Sequence, residues 1–131
     1  MSAPRLFVPL GLALLAACAQ QPQNKPAELD ADSECPKRLL VGQVVSLTLP
    51  SNPSTGYRWR VQDAAPGVLR SLGPEVYAAP EDSGLVGTAG ESTWRFQAEA
   101  AGDGHLVLVY QQPWAPEVQP VQTFDCEVRV R

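Results

Sequence analysis

The chain has one histidine, His105, and three cysteines among 131 residues, and that scarcity removes whole classes of chemistry. A serine-type hydrolase needs a nucleophile, a base and an orienting acid, and His105 is the sole candidate base. It stands at the start of a predicted strand beside a tight turn, at the opposite end from the serine-rich loop, so it reads as a solvated turn histidine. A zinc site needs several His or Cys ligands at short spacing, and His105 has no partner at such spacing. Glycine-rich phosphate loops and paired carboxylates are also missing; Glu81-Asp82 reads as a solvated loop pair. No catalytic residue, metal or cofactor is expected. Basic residues are few and scattered, Arg58 and Arg60 being the close pair within a clear strand, and the net charge is −4. A chain without a basic stripe is a poor partner for nucleic acid. Helical periodicity of useful length is absent.

The longest apolar run, Leu6 to Ala17, is interrupted by Pro9 and Gly11. It is too short to span a membrane but suits a secretory leader. It ends Leu15-Ala16-Ala17-Cys18, which resembles a bacterial lipobox, so residues 1–17 are expected to be removed and Cys18 acylated. The acyl chains would anchor the protein to a membrane rather than span it, on the periplasmic side or at the cell surface, with the outer membrane expected. Residues 18–34 are dominated by Gln, Pro, Ala, Asn and acidic side chains and read as a flexible tether. Residues 35–131 form one domain, long enough for a single core. With Cys18 lipidated, Cys35 and Cys126 remain near the two ends of that domain. Export favours a disulfide between them, against two buried thiols or a metal site. Such a bridge closes a loop of nearly the whole domain, worth roughly 4–5 kcal/mol in the chain-entropy model.

What the domain does have is alternation. Val45, Leu47 and Leu49 alternate with polar residues, as do Tyr57, Trp59 and Val61, then Trp94, Phe96 and Ala98, and finally Phe124, Cys126, Val128 and Val130. Leu106 to Tyr110 is continuously apolar, as a strand covered on both faces would be. Adding a short strand near Arg38–Val41 and another from Val68 to about Ala78 gives about seven strands. The expected fold is therefore all-β, an immunoglobulin-like sandwich, with a small closed barrel as the alternative. If consecutive strands run up and down, the short turns at Gly42, Pro66 and Gly102 share one end. Residues 50–56, 80–91 and 112–120 then share the other, provided that Gly73-Pro74 is a bend in an edge strand rather than a turn.

The first of these long connections reads Pro50-Ser51-Asn52-Pro53-Ser54-Thr55-Gly56-Tyr57. Pro53 fixes its own φ and pushes Asn52 toward extended geometry. Asn52, Ser54 and Thr55 can satisfy local backbone groups, and Gly56 permits positive φ. Taken alone, the stretch is a stiff structural turn.

Asn52-Pro53-Ser54-Thr55-Gly56-Tyr57 nevertheless resembles the Asn-Pro-Thr-Thr-Gly-Tyr loop of the chagasin-type inhibitors of papain-like cysteine proteases. Gly87-Thr88-Ala89-Gly90 is similar to that family's Gly-x-Gly-Gly loop, and Gln112-Pro113-Trp114 to its Arg-Pro-Trp loop, in the family's order. The likeness covers about Arg38 to Val130. It departs where Ala89 replaces a glycine and Gln112 an arginine. The resemblance implies an immunoglobulin-like fold and reversible, tight, non-covalent inhibition, with the first loop filling the protease cleft and the other two clamping its flanks. It implies that Thr55 and Gly56 form the tip and Trp114 the anchor, with Leu85 and Val86 adding apolar contact. The expected partner is a papain-like protease, host or endogenous, bound by a monomer. The competing reading is a non-inhibitory adhesion or carbohydrate-binding lipoprotein using the same exposed aromatics.

Overall fold

The structure is a computed structural model and describes residues 25–80 and 89–131, together with residues 3–5, 9 and 11. Cys18 and Leu85 to Thr88 lie outside the described residues. Among the described residues nine strands follow one another: β1 (Ala27–Leu29), β2 (Lys37–Leu39), β3 (Val44–Ser51), β4 (Arg58–Ala64), β5 (Leu69–Ser71), β6 (Val76–Ala78), β7 (Gly90–Ala98), β8 (Gly102–Gln111) and β9 (Gln122–Val130). They build two facing sheets. One runs β1-β3-β7-β5, with β6 also paired to β7; the other runs β2-β9-β8-β4.

The alternation in the sequence becomes the core. From the first sheet Val45, Leu47, Leu49, Trp94 and Phe96 point inward, and from the second Trp59, Leu106, Leu108, Phe124, Cys126 and Val128. Each is almost wholly removed from water, which at about 25 cal/mol per Å² of apolar surface is the main term holding the sheets together. The disulfide joins Cys35 to Cys126, with the Cα atoms 5.4 Å apart. Gly73-Pro74 does act as a bend. β5 and β6 both pair antiparallel with β7, at Leu69–Ala98 and at Val76–Thr93, so the chain keeps its direction across the interruption.

The reading of residues 18–34 as tether requires correction for the part described. Ala27–Leu29 adds a parallel strand beside Val45–Leu47 of β3, and Leu29 is 2% exposed within the core. Asp32–Glu34 forms a short 3-10 turn before the chain crosses to the second sheet. The physical reason is that one apolar side chain suffices to close a sheet edge, although the surrounding composition is polar. At the start of this strand the Gln43 side-chain amide donates to the Lys25 carbonyl at 2.8 Å. The chain therefore enters beside the Gly42 turn. Arg131 lies at that same pole, its backbone N–H bonded to the Leu39 carbonyl at 3.0 Å.

Candidate functional site

Register places the described ends of the long connections at the other pole. Ser51 pairs with Gly90, so the first loop (residues 52–57) and the end of the second adjoin across the β3–β7 ladder. Arg58 pairs with Gln111, so the first loop adjoins the third (residues 112–121) across the β4–β8 ladder. In the second loop Ala89 is exposed and Gly90 is buried at the start of β7.

The first loop is a single 3-10 turn at Pro53–Thr55 closed by Gly56, whose φ is +82°. That left-handed conformation suits glycine because other residues incur a Cβ clash there. The loop's polar side chains are used on its own backbone. Thr55 Oγ1 donates to the Asn52 carbonyl at 2.7 Å, and Ser54 Oγ donates to Asn52 Oδ1 at 2.5 Å. The Thr55 and Gly56 amides complete the turn on the carbonyls of Asn52 and Pro53. Ser54 and Thr55 form the exposed tip. The one cis peptide bond among the described residues is Cys35-Pro36, so Asn52-Pro53 is trans.

Beneath the loop lies an aromatic buttress. Trp59 Nε1 donates to the Pro50 carbonyl at 2.9 Å, and the Tyr110 hydroxyl accepts the Asn52 amide at 3.0 Å. The Tyr110 ring sits 4.9 Å from that of Trp59 and 5.5 Å from that of Tyr57, both tilted, distances at which aromatic pairs attract. The opposite sheet thus holds the end of β3 at the Pro50 carbonyl and the start of the loop at the Asn52 amide. Sequence reasoning missed the part played by Tyr110, because it closes an apolar strand run and reads as core. A tyrosine rather than phenylalanine at that position was the available signal.

The third loop makes two successive turns, with the Ala115 amide on the Gln112 carbonyl and the Val118 amide on that of Ala115. Pro113 is exposed and Gln112 half-buried. Trp114 is 68% exposed, yet the outer edge of its indole lies against Gly56. A Cβ added to Gly56 would strike the ring atom Cη2 and press on Cζ3 and Cζ2 beside it. Val118 and Val121 continue the exposed apolar surface on this loop; neither was singled out from sequence. Together the first loop and Gln112-Pro113-Trp114 present a firm ridge that carries no charge. Trp59 and Trp94, in contrast, are buried strand residues.

The ion pairs among the described residues lie elsewhere. His105 Nδ1 meets Asp125 Oδ1 at 3.1 Å on the outer face of the second sheet, away from the loops. The hydrogen bond with Asp125 raises the histidine pKa above its ordinary value. Among the described residues no group of three His, Cys, Asp or Glu could hold a metal ion.

Comparison with known proteins gives concordant findings. The family described as Chagasin family peptidase inhibitor I42 matches residues 38–128. The chain is 33% identical over 90 residues to amoebiasin-1 of Entamoeba histolytica, covering 69% of this chain and 84% of that protein. It is 33% identical over 79 residues to chagasin of Trypanosoma cruzi, covering 56% of this chain and 69% of that protein. Among solved structures, the cysteine protease inhibitor EhICP2 from Entamoeba histolytica shares the fold. Its TM-score is 0.65 at 17% identity, over 82% of this chain and 98% of that one.

Proposed function

The chain belongs to the chagasin family of peptidase inhibitors, and from that premise we propose that it blocks papain-like cysteine proteases reversibly and tightly. Asn52–Tyr57 fills the centre of the active-site cleft, flanked by Gln112-Pro113-Trp114 on one side and by Leu85–Gly90 on the other. The observation that carries the reading is the contact between Gly56 and Trp114, which joins two of these loops into one uncharged ridge.

Each property of the ridge serves a blocking role. An uncharged insert can displace water from a cleft without burying an unpaired charge. A loop already fixed by its own hydrogen bonds and by Tyr110 loses little conformational entropy on binding. An exposed tryptophan held in one place is the kind of side chain that dominates interface energetics. The ridge carries no electrophile beyond its peptide carbonyls for a protease thiolate to attack, so the binding proposed is non-covalent. The test is inhibition of papain by the chain from residue 25 onward. One-to-one, reversible inhibition below micromolar concentration is expected, and none at micromolar concentration refutes the proposal.

The same reading includes a monomer anchored by acylated Cys18 to the periplasmic side of the outer membrane or the cell surface. Support comes from the Leu15-Ala16-Ala17-Cys18 motif after an apolar run. Replacing Cys18 with serine should move the protein from the membrane fraction to the soluble one; unchanged partitioning rules the anchor out.

A further inference from the structure

Beside the uncharged ridge stand two cations without partners. Arg58 and Arg60 flank buried Trp59 on β4, so both side chains leave the outer face of the second sheet. Register sets Arg58 opposite Gln111, one residue before Gln112, and Arg60 opposite Val109. Among the described residues neither arginine side chain has a hydrogen bond or ion pair, whereas Arg129 is paired with Glu127 and Arg70 is bonded to Gln97. Among residues 25–80 and 89–131 the other unpaired basic side chains are remote from the ridge: Lys25, Arg38 and Arg131 toward the opposite pole, Arg95 midway along β7. The third loop itself contributes no cation and carries Glu117. On a chain of net charge −4, the positive charge nearest the ridge is thus concentrated on one flank of it.

Resting on the inhibitor reading above, the geometry points to Arg58 and Arg60 as specificity residues that select proteases bearing aspartate or glutamate on the cleft rim beside the third loop. An exposed rim charge acts mainly on the rate of productive encounter and is screened by salt. A guanidinium is suited to the contact because it meets a carboxylate with two parallel N–H donors. β4 is also an edge strand, and charges on an edge discourage strand-to-strand aggregation. That role needs charge of either sign, so reversing the sign separates the two roles.

The experiment measures association and dissociation rates of the full chain with a panel of papain-like proteases ordered by the charge of the cleft rim. Arg58→Glu with Arg60→Glu is compared with the unaltered protein. The unaltered chain should associate fastest with the most acidic rims. The double variant should invert that order, slowing roughly tenfold on acidic rims at low salt. The difference should shrink in 0.5 M salt, and dissociation and thermal stability should change little. An unchanged order of association rates in the variant overturns the inference. If the unaltered chain inhibits no protease of the panel, the reading beneath it fails, and the inference with it.

Discussion

The indole of Trp114 rests on Gly56, a residue 58 positions earlier in the chain, and only the absence of a Cβ lets it do so. Gly56→Ala should therefore do two things. The left-handed φ costs an alanine about 1 kcal/mol, and the new methyl group displaces the indole. Trp114→Ala alone should cost roughly 2 kcal/mol of protease binding with folding retained, since the side chain is mostly exposed. Combined, the two changes should cost less than their sum in a double-mutant cycle of inhibition constants. Strict additivity would show that the loops act independently.

Leu29 tests where the domain starts. Leu29→Ala should lower unfolding free energy by about 2–4 kcal/mol, as for other buried leucines. Chemical denaturation is the measurement, and a change below 0.5 kcal/mol would return β1 to the status of a tether.

The Cys35–Cys126 bridge spans 91 residues. Replacing both cysteines with alanine should cost roughly 4 kcal/mol by release of loop-closure entropy. The denaturation midpoint should fall accordingly. The oxidised and reduced forms of the unaltered protein should differ by a similar amount.

His105 predicts a pH effect unconnected with inhibition. Asp125 holds its pKa above the ordinary 6.5, so the contact's small stabilising contribution is complete below that value. It is lost as pH rises through the folded-state pKa. The histidine resonances should titrate above 6.5 in the folded protein and return toward it in Asp125→Asn. Inhibition should be unaltered in that variant, because the pair is remote from the ridge.

The sheets were legible because alternation is a local property, repeated over seven to nine residues in β3, β4, β7 and β9, while β8 stands out as a continuous apolar run. Even the Gly73-Pro74 bend followed from proline's confinement to edges. β1 was not legible, since a three-residue strand with one buried leucine has no period to detect. Composition correctly described the polarity of its neighbours and missed the single side chain that mattered. At the candidate site, local chemistry anticipated the stiffness of Asn52–Gly56 and the positive φ of Gly56. The resemblance puts Gly56 at the tip with Thr55, whereas in the structure Ser54 and Thr55 are the exposed pair and Gly56 is covered by the protein's own Trp114. Contacts of that kind depend on how two loops meet after folding. No spacing within either loop encodes them.

The chain enters beside Gln43 and leaves beside Leu39, so both ends of the described domain share the pole farthest from the ridge. Any attachment made there, whether a lipid, a resin or a fused domain, turns the ridge outward toward solution. A fixed molecule then keeps the approach hemisphere of a free one, and crowding many side by side on a surface would leave every ridge facing the incoming stream.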